Sequence, residues 1–135
     1  MLSNEKNIGL LDINTYLGFP SRINYIKYKL TDILKRLKKE GYTIAGYGAS
    51  AKSNTLLNYC EISTNYLDYI IDKTPYKLGL YTPGTHIPVI GSEKKRPDYY
   101  LLLVWNYSSG IMQREKQFRK NGGKFIKAIP TPEII

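Results

Sequence analysis

Residues 43–52, TIAGYGASAK, decide the fold of this chain of 135 residues. A short β-compatible run leads directly into two glycines, and a helical segment that carries Leu56, Leu57 and Cys60 follows. The pattern predicts a strand, a tight turn and the amino end of a helix in immediate succession. Such a strand-to-helix unit is typical of parallel sheets that are covered by helices.

The flanking segments continue this alternation. Apolar residues recur at steps of three and four over residues 21–41, which predicts a helix with Ser21 as its N-cap and Gly41 as its C-cap. A further helix is predicted through Lys120, with Ser108 or Ser109 as its N-cap, and an ordered loop is predicted at 73–86. Apolar runs predict strands at 66–71, 87–90, 99–105 and 124–129.

The order of these elements predicts the α/β class. We expect a Rossmann-like domain of three layers, in which a mainly parallel sheet carries helices on both faces. Residues 99–105, YYLLLVW, are the most apolar stretch and should form a central strand covered on both faces. Residues 1–20 show no clear period, so we expect an irregular lead-in there and a single domain over 21–135.

Composition narrows the classes of partner. Lysine and arginine number 20 against 11 acidic residues, and the net charge of +9 favours a polyanion such as a nucleotide, a nucleic acid or an acidic protein surface. Thirteen tyrosines beside many lysines suit a single-strand nucleic-acid binder, but AT-rich codons enrich the same residues, so nucleic acid is not the expected partner.

Cysteine usage and hydropathy bear on the compartment. The single cysteine, Cys60, excludes an intramolecular disulfide and a cysteine-based zinc cluster, which favours a reducing, cytoplasmic setting. No apolar run approaches the roughly 20 residues that span a bilayer, and the first residues lack a signal-peptide pattern. We therefore expect a soluble protein with no membrane partner.

The glycine loop, residues 46–52, is the sharpest local signal because it reads G-x-G-x-x-A at a predicted strand-to-helix junction. Gly46 would permit the turn, Gly48 would admit a phosphate, and Ala51 would let the helix pack closely. The helix amino end would offer N–H donors to that phosphate, beside Ser50 and Lys52. The alternative is that small residues stand here for packing alone.

Other candidates follow neighbouring strands, and each has two interpretations. Asp72 would accept ribose hydroxyls or cap a turn. The loop YTPGTH, residues 81–86, is expected to converge with the glycine loop, and His86 would act as an acid or base or make structural hydrogen bonds. Asn106 would contact the ligand or cap the next helix. Cys60 is expected in the core, a reactive thiol being the alternative.

Four longer strings resemble the C-terminal domain of the S-adenosylmethionine-dependent sugar C-methyltransferases. They are IAGYGASAKSNTLLNYC (44–60), IDKTPYKLGLYTPGTHIPV (71–89), PDYYLLLVWNY (97–107) and GGKFIKAIP (122–130). The resemblance runs from Tyr16 to Ile129. Two positions depart from the family pattern, since Ser53 and Glu61 stand where the family often has glycine.

The resemblance implies a division of labour. Full-length members have a zinc-binding domain, a middle domain for the methyl donor, and a Rossmann-like C-terminal domain that helps enclose the nucleotide-sugar. This chain matches only the third, so it is expected to bind neither S-adenosylmethionine nor zinc and to transfer no methyl group by itself. The implied partners are a thymidine-linked deoxysugar and a methyltransferase domain or subunit.

The resemblance also implies substrate-binding positions, to which Asn106 is added because it follows the central strand. No catalytic residue is placed in this chain. The implied positions are Gly46, Gly48, Ala49, Ser50, Lys52, Asn54, Thr82, Gly84, Thr85 and His86.

Three functions are therefore open. The first is a substrate-side domain that binds a nucleotide-sugar. The second is an interaction module that completes a methyltransferase active site in trans. The third, a small NAD-dependent enzyme, is suggested only by the glycine loop and Asp72.

Overall fold

The computed structural model describes residues 2–9, 12–92 and 96–135. Six helices and six strands lie in these ranges, together with 3₁₀ turns at Pro75–Lys77 and Trp105–Tyr107. In chain order they are α1 (Leu2–Asn7), α2 (Ile13–Leu17), α3 (Phe19–Lys39), β1 (Ile44–Tyr47), α4 (Ala51–Tyr59), β2 (Ile70–Ile71), β3 (Val89–Ile90), β4 (Tyr99–Leu102), α5 (Ser108–Arg114), α6 (Lys116–Lys120), β5 (Lys124–Lys127) and β6 (Glu133–Ile134).

The strands form one sheet in the order β3-β2-β1-β4-β5-β6. The pairs from β3 across to β5 are parallel, and β6 is antiparallel to β5. Gly46 of β1 lies between Ile70 of β2 and Leu101 of β4. The chain order reverses between β1 and β4, so the switch point of the sheet lies between these two strands.

Two apolar clusters cover the two faces of the sheet, which confirms the predicted three-layer α/β architecture. One face packs against α3 and α4 through buried side chains such as Leu34 and Leu57. The other packs against α5 and α6, where Tyr100, Phe118 and Phe125 form an aromatic cluster with centroid separations of 4.8–6.2 Å. The central position predicted for the strand of residues 99–105 is also confirmed.

The amino-terminal prediction is wrong in part, because the described part of the expected irregular lead-in contains α1 and α2. The helix predicted from Ser21 begins earlier, at Phe19, with Gly18 as its N-cap and Pro20 in its first turn. Proline is favoured there because the first helical N–H groups need no intrahelical acceptor. The predicted boundary after residue 20 therefore falls inside α3.

Gly41 ends α3, although the C-cap predicted there lies one residue earlier, at Glu40. Glu40 is the C-cap and Gly41 follows it with φ +87°. The N–H of Gly41 donates to Lys38 O at 3.1 Å, and that of Tyr42 donates to Leu37 O at 3.0 Å. This pair of hydrogen bonds is a Schellman motif, which needs a left-handed residue where Gly41 stands.

Four predicted strands are shorter than the apolar pattern indicates, and one of them, predicted at 87–90, is only Val89–Ile90. The strand predicted at 66–71 is only Ile70–Ile71, because Ser63 O accepts from the N–H groups of Tyr66 and Leu67 and turns the chain. The strand predicted at 99–105 ends at Leu102, and the last predicted strand ends at Lys127. Strand β6 is an addition that the sequence did not predict.

The helix predicted from Ser108 or Ser109 to Lys120 is broken at Glu115, which has φ −95° and ψ 27°. The Glu115 side chain is 15% exposed and accepts hydrogen bonds from the Tyr47 hydroxyl and from Arg96. These contacts offset the hydrogen bonding that the helix loses where its backbone is not helical at Glu115. Helix α5 begins at Ser108 without a side-chain cap, so the expected serine cap is wrong.

Candidate functional site

The two glycines of the glycine loop have different structural roles. Gly48 makes the turn: it has φ +88°, and its N–H donates to Ile71 O at 2.8 Å. Gly46 lies inside β1, where an added Cβ would come within 2.7 Å of Leu103 and 2.8 Å of Ile70. The turn role expected for Gly46 is therefore wrong, because close packing between strands explains a glycine there.

The amino end of α4 is closed by a reciprocal cap. The N–H of Ser53 donates to Ser50 Oγ at 3.1 Å, and the N–H of Ser50 donates to Ser53 Oγ at 2.7 Å. Ser53 is 2% exposed, and its hydroxyl also donates to Ser50 O at 2.5 Å. Ser53 thus completes a capping box in which serine replaces the usual Glu or Gln.

Two N–H groups at this helix end remain open. Within the described part of the chain, the backbone N–H groups of Ala51 and Lys52 have no hydrogen-bond acceptor. They are the first two residues of α4, where the helix dipole adds positive potential. The Lys52 side chain is exposed beside them. This helix end can therefore hold an anionic group with two backbone donors and one ammonium group.

A crevice of about 320 Å³ opens at these donors. Residues 50–52 line one wall, and residues 103–107, which follow β4, line the other. It lies beyond the carboxyl ends of β1 and β4, at the switch point where open α/β sheets bind ligands. We call it the switch crevice.

The second wall of the switch crevice offers aromatic and amide groups. Trp105 is partly buried, and Asn106 and Tyr107 are exposed within the 3₁₀ turn. Since α5 begins only at Ser108 and has no side-chain cap, the capping alternative for Asn106 is wrong. Its amide is placed to donate and accept at the crevice.

Asp72 lies directly after β2, with both carboxylate oxygens engaged. Oδ2 accepts from the Ala49 N–H at 2.7 Å, and Oδ1 accepts from the Thr74 N–H at 2.8 Å. Lys77 Nζ lies 3.5 Å from Oδ2 and donates to Ala49 O at 2.5 Å. This geometry is that of the turn-capping alternative, and it directs the Ala49 N–H at Asp72.

The pKa of Asp72 is lowered by these neighbours. Burial alone would raise it, but hydrogen bonds from Thr74 and Ala49 and the charge of Lys77 outweigh burial. The carboxylate is therefore ionised in the folded protein, and it neutralises part of the positive charge beside the glycine loop.

Stability at acid pH should depend on Asp72. Because the pKa is lowered in the folded state, its contribution is complete above the ordinary value of 3.8 and is lost as the pH falls through the folded value. Wild type should exceed Asp72→Asn in free energy of unfolding at about pH 6, and the difference should shrink below about pH 4. Urea unfolding across this pH range measures the effect.

The exposed Asp32 of α3 provides a control for this measurement. Asp32→Asn should leave the acid branch of the stability curve parallel to that of wild type. A stability difference between wild type and Asp72→Asn that is constant with pH would contradict the role given to the Asp72 charge.

The TPGTH segment forms a hairpin turn before β3. Leu80 O accepts from the Val89 N–H and Thr82 pairs with Ile87, so the turn lies at the amino end of β3. The glycine loop lies at the carboxyl end of the parallel neighbour β1. The tip of the turn therefore lies at the opposite edge of the sheet from the glycine loop. Thr82 and Pro83 nevertheless line one groove with Ala49–Ala51, so the expected convergence holds for the first part of this segment.

Most polar groups of this hairpin stabilise the hairpin itself. The hydroxyls of Thr82 and Thr85 are buried, lie 2.6 Å apart, and Thr82 Oγ1 accepts from the Ile87 N–H. Gly84 has φ +80°, and an added Cβ would come within 2.2 Å of Asn58. His86 is exposed with φ +54°. These are structural contacts, and ligand binding by the four residues stays a prediction.

A second groove of about 410 Å³ runs along the other side of α4. It connects the glycine loop with Thr82, since its lining consists of residues 49–51, 53, 54, 77, 80–83 and 89. Asn54, another of the predicted ligand residues, lies on its wall, partly buried. The grooves on the two sides of α4 share Ser50 and Ala51.

Cys60 and Glu61 complete the carboxyl end of α4. Cys60 is buried and its thiol pKa is raised by burial to about 11, so it is a core residue with little thiolate character at neutral pH. Glu61 adopts φ +56°, and Ile62 N donates to Leu57 O at 2.9 Å. Glu61 thus takes the left-handed position of the helix-ending motif, which glycine usually occupies.

Sequence reasoning missed two contributors to the site. Lys77 is one, although its position five residues after Asp72 was visible. Ala51 is the other, since it was expected only to pack closely, although N–H donors at the helix amino end were predicted as a group. Among the described residues no cluster of metal-binding side chains occurs, and none of their helices has the length and hydropathy to cross a membrane.

Both a family model and a curated protein are similar to this chain over nearly its whole length. The family model for the C-methyltransferase C-terminal domain matches residues 1–130. C-methyltransferase NovU of Streptomyces niveus is 37% identical over 138 aligned residues, which cover 100% of this chain and 33% of that protein. The chain therefore spans about one third of the length of this relative.

Proposed function

This chain belongs to the C-methyltransferase C-terminal domain family, and from that premise we propose that it is the domain that binds a nucleotide-linked deoxysugar. The observation that carries the proposal is the pair of open N–H groups, at Ala51 and Lys52, facing a crevice at the switch point of the sheet. The family match supports a role in a C-methyltransferase, and the two open donors support the binding of an anion.

The proposed ligand fits the chemistry of this site. A diphosphate at the amino end of α4 would accept from two backbone donors and pair with the Lys52 ammonium group. A nucleoside base in the switch crevice would contact Trp105 and Tyr107, and Asn106 would meet its polar edge. We propose thymidine as the nucleoside, following the resemblance described above.

In this proposal the chain orients a substrate and supplies no group to the methyl transfer. It fixes the diphosphate, and so holds the sugar at a defined distance from the sheet edge. The methyl donor and the zinc of the family are proposed to bind in parts of the enzyme that this chain does not match.

Calorimetric titration tests the proposal directly. The chain should bind thymidine diphosphate and a thymidine-linked sugar in preference to NAD and S-adenosylmethionine. Lys52→Ala should weaken the binding of thymidine diphosphate by about two- to fivefold, which is the effect of one exposed charge at a helix end.

Lys120→Ala is the matched control, since Lys120 is an exposed lysine of α6 on the opposite face of the sheet. It should leave the affinity unchanged. Preference for NAD, or the absence of binding by any thymidine ligand, would contradict the proposed function.

A further inference from the structure

Both backbone polar groups of Ala49 are held by one ion pair from the segment that follows β2. The Ala49 N–H donates to Asp72 Oδ2 at 2.7 Å, and the Ala49 carbonyl accepts from Lys77 Nζ at 2.5 Å. The Asp72 side chain is 10% exposed and that of Lys77 is 29% exposed, so water competes little for the carboxylate. The pair acts as a clamp on the glycine loop.

The clamp controls where the next donors point. Ala49 O belongs to the peptide group that also carries the Ser50 N–H, which donates to Ser53 Oγ at 2.7 Å. Lys77 and the capping box thus fix that peptide from its two ends. The N–H groups of Ala51 and Lys52 follow immediately, so their direction depends on this peptide.

The clamp also occupies the end of β2. In dinucleotide-binding folds an acidic residue at this place accepts the ribose hydroxyls. Here the two Asp72 oxygens accept from Ala49 and Thr74, and Lys77 stands against one of them. A ribose at the end of β2 would have to displace these contacts.

We propose that the Asp72–Lys77 clamp is a positioning and specificity device, which orients the α4 donors and closes the end of β2 to a ribose. A nucleotide whose diphosphate binds these donors then has its ribose away from the end of β2. The inference rests on the proposed function, which it deepens by naming the residues that orient the donors and the place from which the ribose is excluded.

Substitution of Lys77 tests the clamp, with thymidine diphosphate as the probe in calorimetric titration. Lys77→Met should lower the affinity by roughly tenfold, because the peptide between Ala49 and Ser50 is then fixed at one end only and the donors that follow are less preorganised. Lys77→Arg keeps a cationic donor and should stay within about threefold of wild type. Lys73→Met, which removes an exposed charge from the same segment, should also stay within about threefold.

The outcomes distinguish orientation of the donors by Lys77 from general attraction by positive charge. An equal loss in Lys77→Met and Lys73→Met would overturn the clamp in favour of general charge attraction, and so would a Lys77→Met affinity equal to wild type. If the wild-type chain bound no nucleotide, the proposed function and the clamp would both be overturned. Should Lys77→Met not fold, Lys77→Gln replaces it, with the same expected loss.

Discussion

Replacing Gly48 by alanine should lower the free energy of unfolding by about 2–5 kcal/mol, the largest stability effect expected of a single change at this site. Two costs add. Gly48 has φ +88°, a conformation that costs an L-residue about 1–2 kcal/mol. The added Cβ would also lie 2.8 Å from both methyl carbons of Val104, and such crowding costs about 1–3 kcal/mol.

Gly41 separates the two costs because it has φ +87° and no atom lies within 4 Å of the position of an added Cβ. Gly41→Ala should therefore lose only about 1–2 kcal/mol in urea unfolding. In the Gly48→Ala background, Val104→Ala should recover part of the loss, which a double-mutant cycle measures. Equal losses for the two glycine variants would show that Val104 does not crowd the loop.

The strand-to-helix unit around Gly48 shows which parts of the fold a local sequence pattern can predict. Glycine spacing and flanking apolar residues are local properties, so β1, α4 and the central place of β4 could be predicted from them. The roles of Gly46 and Gly48 could not be separated in the same way. Leu103 and Ile70, which make Gly46 necessary, arrive from distant strands.

The failures share this physical origin. Residues 66–71 are apolar enough for a strand, yet a turn at Ser63 uses the N–H groups that a strand would need. The TPGTH loop follows β2, which suggested the carboxyl edge, but antiparallel pairing of Leu80 with Val89 carries the turn to the amino edge. Lys77 is part of the site because it donates to Ala49 O, a residue 28 positions away in sequence. A periodic pattern cannot predict a contact over that distance.

Ala51→Pro should produce the largest loss of ligand binding, because it deletes one of the two open donors and leaves the helix intact. Ala51 is the first residue of α4, a position at which proline is favoured. The preceding residue, Ser50, has φ −107° and ψ 165°, an extended conformation that proline tolerates in its predecessor. The substitution therefore removes an N–H without a steric penalty.

The expected loss follows from the charge of the ligand. A hydrogen bond to a charged group contributes about 1.5–3 kcal/mol, so the affinity for thymidine diphosphate should fall by roughly 10- to 150-fold. Ala51→Gly changes the side chain at the same position but keeps the N–H, and should lose far less affinity. Calorimetry gives the affinities, and thermal unfolding should show that Ala51→Pro is as stable as wild type.

The pair of variants distinguishes the backbone donor from every other property of this position. Lys52, Asn106 and the capping box are unchanged in both, so a loss confined to Ala51→Pro comes from the replacement of the N–H by the proline ring. Equal affinities of Ala51→Pro and Ala51→Gly would mean that the diphosphate does not bind at the amino end of α4. The anion would then have to be sought at another basic surface of this chain, whose net charge is +9.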